Sequence, residues 1–179
     1  KKSEDLSGVF FDIDSDGDKD LYVTSGGSEF KQGSPLLKDR VYMNDGLGNF
    51  RKKNQAVPNI YKSTQTVKAS DIDADGDLDL FIGTRLISGK YTFPATSYIL
   101  INNNGILKEA PKKTAQDLIN IGMVTDAVFS DIDNDGYHDL IMEFRKWKSG
   151  VYGTRILWGS EAGVFSRMSK TDIKSRIVK

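Results

Sequence analysis

The chain has 179 residues, and its 25 Lys and Arg residues balance its 25 Asp and Glu residues, so the formal net charge is zero at pH 7. Cysteine is absent, which excludes disulfides, zinc–thiolate sites and cysteine nucleophiles. No stretch approaches the roughly 20 apolar residues of a membrane-spanning helix, so we expect no membrane insertion. Because the chain begins at Lys1 without an initiator Met or a signal segment, we expect a processed chain or a piece of a longer protein.

The acidic residues are unevenly placed along the chain. Asp accounts for 20 of the 25 acids, and 14 of these Asp residues lie in three short segments. Outside those segments, 25 basic residues stand against 25 − 14 = 11 acidic ones. The neutral total therefore combines three strongly negative segments with a basic remainder, and a divalent cation bound in each segment would leave the whole chain positively charged.

The first predicted repeat covers about residues 1–60 and has four short apolar runs. The run "GVFF" precedes the acidic segment "DIDSDGDKDL" at residues 12–21, and "LYV" follows it. A third run, "RVYM", leads into the turn "NDGLGNF" and then into a fourth short run. β-Branched and aromatic residues favour strands, and Asn-Asp-Gly supplies the positive φ angles of a hairpin turn.

The same order of features returns twice. The acidic segment recurs as "DIDADGDLDL" from Asp71 and "DIDNDGYHDL" from Asp131, at offsets of 71 − 12 = 59 and 131 − 71 = 60 residues. The runs "VKAS" and "LFI" flank the second copy, "AVFS" and "LIM" flank the third, and "SYILI" and "RILW" come later. We place these repeats at about residues 61–120 and 121–179. The stretch "KKTAQDLINIG" before the third copy predicts a short helical turn.

This periodicity predicts the fold class. Repeats of about four antiparallel strands are the blades of a β-propeller. We therefore expect an all-β fold, with residues 1–179 forming a single partial propeller. Propellers typically close four to eight blades into a ring, which protects the edges of the sheets. Because three blades fall short of this, we expect a fragment of a larger propeller, or else a homodimer in which two three-blade halves close one ring.

Every acidic segment carries the same pattern of carboxylates. When the first Asp is counted as position 1, positions 1, 3, 5 and 9 are Asp in all three copies, and position 6 is Gly, where the chain must turn sharply. Position 7 is Asp18, Asp77 or Tyr137, a variation expected if only its backbone carbonyl is used. The candidate carboxylate ligands are Asp12, Asp14, Asp16, Asp20, Asp71, Asp73, Asp75, Asp79, Asp131, Asp133, Asp135 and Asp139.

The donor set favours calcium over other metals. Ca²⁺ takes 6 to 8 oxygen ligands in flexible geometry, whereas Mg²⁺ prefers a strict octahedron and softer metals prefer His or Cys. We therefore expect three Ca²⁺ ions, one per repeat. An EF-hand loop would need Glu at position 12, which is instead Val23, Ile82 or Met142 within an apolar run. The EF-hand and dockerin interpretations therefore fail, and the Asp at position 9 must close the site.

Two simpler interpretations compete with a functional metal site. The segments would be solvated acidic turns if nothing bound to them, but three copies in register make that a poor explanation. Alternatively, the Ca²⁺ ions would be structural, each holding a hairpin in shape and contributing metal-linked folding energy without contacting a substrate. We favour this second interpretation because the loop's own ligands leave no open catalytic position.

The repeat resembles a known family. Its form "F-x-D-I-D-x-D-G-x-x-D-L" is similar to the FG-GAP/VCBS repeats of integrin-like β-propellers, and "GSPLLKDRVYMNDGLGNF" and "IGMVTDAVFSDIDNDG" look like VCBS-repeat proteins of the cartilage acidic protein and ASPIC/UnbV type. The resemblance implies Asp ligands at positions 1, 3, 5 and 9 and the position 7 carbonyl as a fifth ligand. It also implies a secreted or surface-attached bacterial protein. The turn "INNNGILKE" departs from the pattern, since it lacks the second Gly of "NDGLGNF".

Other features carry weaker expectations. His138 is the only His, and we expect it to be a solvent-facing loop residue rather than a catalytic base. Long connections follow the second strand of each blade, and long loops often carry function. We expect aromatic residues of these connections to gather at one rim as a binding surface. They are Phe30, Tyr91, Phe93, Trp147 and Tyr152.

These observations predict a non-catalytic, calcium-binding module for interaction with an unknown protein or glycan. We expect it to be secreted or at the cell surface, periplasmic or attached to the outer membrane in a bacterium, because weak extracellular Ca²⁺ sites would stand empty in a cytosol. We expect no nucleic acid as a partner. The alternative is part of a glycan-active enzyme, such as a propeller like that of polysaccharide lyases, whose catalytic residues lie in blades that this chain lacks.

Overall fold

The structure, a computed structural model, describes residues 2–90, 93–145 and 152–167. In these residues the chain forms eleven strands in three antiparallel sheets, together with two short 3₁₀ turns. This confirms the predicted all-β class. Each sheet lies within one predicted repeat, and its strands follow one another in chain order.

The first two sheets each have four strands, as predicted for a blade. The first sheet has the order β1-β2-β3-β4, and the second has the order β5-β6-β7-β8. Each is therefore a simple up-and-down meander in which the acidic segment joins the first strand to the second. The strands are β1 (Glu4–Phe11), β2 (Asp20–Gly26), β3 (Arg40–Asn44), β4 (Phe50–Lys52), β5 (Ser63–Ser70), β6 (Asp79–Leu86), β7 (Tyr98–Ile101) and β8 (Lys108–Glu109).

The third sheet departs from the predicted four strands. It consists of β9 (Met123–Ser130), β10 (Asp139–Arg145) and β11 (Tyr152–Leu157). The run that should form a fourth strand makes only an isolated bridge between Trp158 and Ser166, with two backbone hydrogen bonds of 2.9 and 3.0 Å. The expectation of a full fourth strand is therefore wrong for the described part of this blade, where the ladder stops after one pair of residues.

The helical turn predicted before the third acidic segment is confirmed. Residues Gln116–Leu118 form a single 3₁₀ turn, and Leu118 is fully buried in the apolar cluster between the second and third sheets. A matching turn, Pro35–Leu37, lies in the connection from β2 to β3 and is capped by the Ser34 side chain. Both turns place a buried Leu beside the sheets.

The core lies between the sheets, which stack face to face. Strand β6 in the middle sheet shows this most directly, because its side chains alternate between two apolar clusters. Leu80 and Ile82 pack with Tyr22 of the first sheet, while Phe81 packs with Leu140 of the third sheet. A strand buried on both faces reads as a continuous apolar run, which explains "LFI" in the sequence.

Each outer face of this stack exposes large apolar side chains within the described residues. On the first sheet, Phe10 lies opposite Leu21 and Leu21 opposite Tyr42, and the rings of Phe10 and Phe50 meet edge to face at 6.0 Å. Phe10 is nonetheless 58% exposed. On the third sheet, Val128 is 52% exposed. Closure by further blades or by a second copy stays a prediction.

The structure also bears on the membrane question. Among the residues that it describes, no helix is long and apolar enough to cross a membrane.

Candidate metal sites

The three acidic segments occupy equivalent places in the three sheets. Each forms the turn between the first and second strand of its sheet: β1 to β2, β5 to β6 and β9 to β10. Because the strands run in the same order in each sheet, the three loops repeat one local structure with the same spacing of carboxylates.

Three of the predicted ligands come together in every loop. The carboxylates at positions 1, 3 and 9 each offer an oxygen atom, and these atoms lie within 4.8 Å of one another. Three negative charges at this separation repel each other unless a cation or protons compensate them. The triads are Asp12, Asp14 and Asp20; Asp71, Asp73 and Asp79; and Asp131, Asp133 and Asp139.

The carboxylate at position 5 has a different role in the structure. Asp16 lies outside the triad, and its Oδ1 accepts a hydrogen bond of 2.9 Å from the backbone N–H of Asp18. This bond closes a small turn between positions 5 and 7. Its role as a metal ligand, and that of the position 7 carbonyl, stay predictions. The same bond joins Asp75 to Asp77 at 3.1 Å and Asp135 to Tyr137 at 3.0 Å.

The backbone of each loop turns through two left-handed residues. Position 6 has φ values from 92° to 96° at Gly17, Gly76 and Gly136, as the sequence predicted for a sharp turn. Position 4 is also left-handed, with φ of 60° at Ala74, which the sequence did not reveal because Ala gives no signal for this conformation. Strained backbone of this kind persists where the surrounding structure holds it in place. The equivalent residues are Ser15 and Asn134.

The Asp at position 9 accepts two backbone hydrogen bonds that the sequence did not predict. Asp79 is fully buried, its Oδ2 accepts a hydrogen bond of 2.9 Å from Ile72 N–H, and its Oδ1 accepts one of 2.8 Å from Asn102 N–H. It therefore ties its own loop to the end of the third strand of the sheet. The other two sheets repeat this arrangement through Asp20, with Ile13 and Asn44, and through Asp139, with Ile132 and Gly159.

Burial disfavours the ionised form of the carboxylates at position 9 when no cation is bound. Removal from water raises the pKa of Asp79 to about 7, against the lowering effect of its two backbone hydrogen bonds. Burial is also the main reason that the pKa values of Asp20 and Asp139 are raised, and nearby carboxylates of the same loop add to it. A bound cation would oppose both effects by favouring the ionised forms.

Several oxygen atoms in these loops have no hydrogen-bond partner. In the described part of the chain, Oδ1 of Asp14, Asp71, Asp73 and Asp77 is buried and accepts no hydrogen bond. Buried polar atoms are nearly always paired, so each such oxygen needs an explanation. A hard cation coordinated by oxygen provides one, and the set of carboxylates fits Ca²⁺.

The first and second loops are also covered by a turn of the next sheet. A Cβ on Gly105, in the turn from β7 to β8, would lie only 3.0 Å from the Cβ of Asp14 in the first loop. A Cβ on Gly163 would lie 2.9 Å from the Cβ of Asp73 in the second loop. Glycine is therefore required where one sheet's turn closes on the previous sheet's loop. The turn "NNNG" lacks the second Gly of "NDGLGNF", but it contains Gly105, the Gly that this contact needs.

Asn102 connects the first two loops directly. Its backbone N–H donates to Asp79 in the second loop, and its side-chain Nδ2 donates a hydrogen bond of 2.8 Å to the carbonyl of Ile13 in the first loop. Asn102 is itself fully buried, and its Oδ1 accepts from Gly105 N–H at 3.1 Å. Sequence reasoning missed this residue because an Asn in a turn ordinarily signals only the turn.

His138 lies on the surface of the third loop, as expected. It is exposed, and its Nδ1 lies 2.7 Å from Oγ of Ser70, the last residue of β5. The contact joins the third loop to the end of the neighbouring sheet's first strand.

The predicted aromatic rim is only partly described. Phe30 is 6% exposed, so the expectation that it belongs to an exposed rim is wrong; its ring packs into the protein instead. Phe93 is 59% exposed and lies in the connection from β6 to β7, with Lys90 Nζ 5.8 Å from its ring centroid. Tyr91 and Trp147 lie outside the described residues, and Tyr152 is the first residue of β11.

Stacked antiparallel sheets, each with an acidic loop between its first two strands, define a blade-type repeat protein. Residues 9–82 match the sequence model of the family described as FG-GAP-like repeat. The match covers the first two acidic loops, so this part of the chain is similar to FG-GAP-like repeats. Its assignment to the VCBS or ASPIC/UnbV type stays a prediction. No curated protein matches the chain.

Proposed function

We propose that this chain is a calcium-binding, non-catalytic propeller module that interacts with a protein or a glycan outside the cell or at the cell surface. The observation that carries the calcium part is the triad of carboxylate oxygens within 4.8 Å of one another in each of three equivalent loops. The unpaired buried oxygens of the first two loops add independent support.

Calcium in these loops would have a structural role. Positions 1, 3 and 9 would hold the ion, which would neutralise the clustered carboxylates. The residue at position 9 already joins the loop to the third strand through its backbone hydrogen bonds, as Asp79 does with Asn102. Metal binding would therefore stabilise three strands of a sheet at once, because only the folded chain brings the ligands together.

The location follows from the chemistry of the ion. Extracellular calcium modules bind Ca²⁺ with dissociation constants of about 10⁻⁴ to 10⁻³ M, and sites of this affinity would stay empty in a cytosol. A module that needs calcium for its stability is suited to the cell surface or to the outside of a bacterial cell. The long connections on the sheets are then free to contact a partner.

A thermal melt tests the calcium proposal. The purified chain is heated with CaCl₂, MgCl₂ or the chelator EGTA, and its metal content is measured in parallel. Calcium at 100 times its dissociation constant contributes about 2.7 kcal/mol per site, so we expect a clear rise in the melting midpoint and a much smaller rise with magnesium. An unchanged midpoint in CaCl₂ and EGTA would refute the proposal.

Variants of single Asp residues test whether the calcium-dependent rise in the melting midpoint comes from the acidic loops. Asp14→Asn removes a triad carboxylate whose Oδ1 has no partner, so it should weaken the calcium-dependent rise. Asp45→Asn is the matched control, because Asp45 lies in the exposed turn from β3 to β4 and makes its own turn hydrogen bonds. Asp16→Asn tests position 5 separately. If Asp45→Asn weakens the rise as much as Asp14→Asn, the ion is not bound in the acidic loops.

One observation favours the alternative, a glycan-active enzyme. A cavity of about 300 Å³ is lined by Glu4, Glu29, Arg85 and Arg145, near the ends of strands in all three sheets. Carboxylates in a cleft are the groups that glycoside cleavage uses. Incubation of polysaccharides with the chain and with Glu29→Gln tests this. A product formed by the native chain and not by the variant would replace the non-catalytic proposal.

A further inference from the structure

The first two acidic loops lie against a turn of the sheet that follows each of them. Gly105, in the turn from β7 to β8, packs on Asp14 so closely that an added Cβ would come within 3.0 Å of the Asp14 Cβ. Gly163, in the turn between Trp158 and Ser166, packs on Asp73 in the same way, at 2.9 Å. Asp14 and Asp73 both occupy position 3 of a carboxylate triad. Each of these two triads is therefore bordered by a second sheet, through what we name its covering turn.

Hydrogen bonds hold the covering turn of the first loop in place. The side-chain Nδ2 of Asn102 donates a bond of 2.8 Å to the carbonyl of Ile13, at position 2 of that loop. Just beyond the turn, Leu107 N–H donates a bond of 3.1 Å to the carbonyl of Ala56, in the connection between the first two sheets. The turn of the second sheet is thus bonded both to the first loop and to the chain beside it.

The third loop differs from the other two in its cover. At position 2, Ile13 is fully buried and Ile72 is 6% exposed, whereas Ile132 in the third loop is only partly buried. The third sheet is the last in the described part of the chain, so no following sheet lies over its loop there. The three loops therefore share the carboxylates at positions 1, 3 and 9 but not the covering turn.

The charge of a loop makes its cover dependent on a cation. Three carboxylates with oxygens within 4.8 Å of one another repel, and a turn packed over them also removes them from water. Oδ1 of Asp14 and Oδ1 of Asp73 are already buried without a hydrogen bond. A bound cation lowers both costs, because it attracts the carboxylates and coordinates buried oxygens. The covering turn should therefore pack more favourably on a loop that holds calcium.

We propose that the covering turn is part of the calcium site, so that calcium binding at the first and second loops and docking of the following sheet strengthen each other. Linkage makes the effect reciprocal: if calcium favours the docked turn, the docked turn favours calcium by the same factor. The inference rests on the proposed function, which gives calcium a role within one sheet. Here the ion also joins neighbouring sheets, and the first and second loops bind it more tightly than the third.

A calcium titration followed by NMR resolves the three loops. The backbone N–H groups of Gly17, Gly76 and Gly136 donate to the position 1 carboxylates at 2.9, 3.1 and 3.0 Å, so each glycine amide resonance reports on its own loop. With CaCl₂ added to the chain labelled with ¹⁵N-glycine, the Gly17 and Gly76 signals should respond at a calcium concentration at least about 5-fold lower than the Gly136 signal. Equal midpoints, or a Gly136 signal that responds first, would overturn the proposal.

A pair of glycine variants separates the cover from other differences between the loops, such as Tyr137 at position 7 of the third. Gly105→Ala pushes a methyl group against Asp14 and should weaken calcium binding at the Gly17 signal by at least about 5-fold. Gly48→Ala is the matched control. Gly48 has φ of 84° against 82° at Gly105, so both variants carry similar backbone strain, but a Cβ on Gly48 has no atom within 4 Å. Equal shifts of the Gly17 midpoint in the two variants would contradict a role for the covering turn.

The second loop provides an independent test if Gly105→Ala does not fold. Gly163→Ala places its Cβ 2.9 Å from the Cβ of Asp73, so it should weaken calcium binding at the Gly76 signal and leave the Gly17 signal unchanged. A Gly76 midpoint that does not move, or a Gly17 midpoint that moves equally, would overturn the proposal.

Hydrogen exchange tests the reverse direction of the coupling. The Leu107 amide bonds to Ala56 between the two sheets, so its exchange should slow when calcium favours docking. Asp14→Asn removes a triad carboxylate of the first loop only, so calcium should slow the exchange of Leu107 less in this variant than in the native chain. Equal slowing in both proteins would show that calcium at the first loop does not hold the second sheet.

The same samples separate this inference from the proposed function. If calcium raises the melting midpoint but the three loops bind it equally, and Gly105→Ala behaves as Gly48→Ala does, the coupling is wrong and the calcium module stands. If calcium changes neither the midpoint nor any of the three glycine signals, the proposed function itself fails.

Discussion

A buried carboxylate between the first two sheets gives the most quantitative prediction. Asp39 is 3% exposed, and no salt bridge to it occurs in the described residues. Its Oδ1 accepts hydrogen bonds of 2.7 Å from Ser25 N–H and from the Thr64 hydroxyl. Its Oδ2 accepts from the hydroxyls of Tyr22 at 2.9 Å and Tyr98 at 3.3 Å. Burial raises the pKa of Asp39 to about 6 in spite of these four bonds.

The raised pKa sets the sign of the effect on stability. Between pH 3.8 and about 6, the folded chain holds a proton on Asp39 that the unfolded chain has lost. The free energy of unfolding therefore falls as the pH rises through this window. The folded and unfolded pKa values differ by about 2, and each pKa unit corresponds to 1.36 kcal/mol, so the full loss is about 3 kcal/mol. About 1.4 kcal/mol of it falls between pH 5 and pH 7.5.

Asp39→Asn should remove this loss. The amide oxygen can accept the hydrogen bonds from Ser25 and Thr64, and the amide nitrogen can donate to the two Tyr oxygens. The variant and the native chain should therefore be similarly stable near pH 4, and the variant should become the more stable by up to about 3 kcal/mol at pH 7.5. Urea unfolding of both proteins at pH 5 and pH 7.5, with saturating calcium throughout, measures the difference.

Asp126→Asn provides the control for this measurement. The hydrogen bond from Lys68 lowers the pKa of Asp126, so its contribution is present above its ordinary pKa and is lost only as the pH falls through the lowered value. The gap between Asp126→Asn and the native chain should thus stay constant from pH 5 to pH 7.5. A gap for Asp39→Asn that is equally constant, or that narrows as the pH rises, would show that Asp39 does not titrate as the structure indicates.

Three further predictions concern the loops and the open faces. Asn102→Ala removes the hydrogen bond between the first two loops, so calcium titration should show weaker binding at both of them and unchanged binding at the third. Gly76→Ala places a side chain at φ of 96° with open space around it, so we expect a loss of about 1–3 kcal/mol in urea unfolding from backbone strain alone. Phe10→Asp charges the uncovered face of the first sheet and should reduce self-association in sedimentation analysis, whereas Ile119→Asp, at an exposed residue in a connection, should not. Unchanged calcium binding at the first two loops of Asn102→Ala would contradict the first prediction. Equal stability of Gly76→Ala and the native chain would contradict the second, and equal self-association of Phe10→Asp and Ile119→Asp would contradict the third.

The local chemistry of the loops was readable from the sequence. Asp at positions 1, 3, 5 and 9 and Gly at position 6 recur at equal spacing, and the flanking apolar runs mark the strands. This pattern depends on residues that are neighbours along the chain, so the hairpins and the meeting of Asp12, Asp14 and Asp20 could be predicted. The sequence did not separate position 5 from the triad, because the hydrogen bond that Asp16 accepts from the backbone N–H of Asp18 forms only in the folded turn.

Other features could not be predicted because they join distant parts of the chain. Phe30 looks like an exposed loop aromatic, but its burial depends on how the connection folds back onto the sheets. Asn102 reaches a carbonyl 89 residues earlier in the sequence. Within residues 152–167 the third sheet gains no full fourth strand, and this likewise reflects pairing rather than composition, because the run around Ser166 meets Trp158 at one point only.

The sequence by itself determined the acidic loops and the hairpins around them, because each is encoded within about ten residues of chain, and the recurrence of these loops at 59 and 60 residues revealed the repeat. Only the tertiary structure decided which polar groups are removed from water. Asp39 and Thr64 are 25 residues apart, and Asp39 and Tyr98 are 59 residues apart, yet they meet in one buried cluster. Thr84 and Ser88 are buried for the same reason. Burial is a property of the packed sheets, and no local pattern of residues records it.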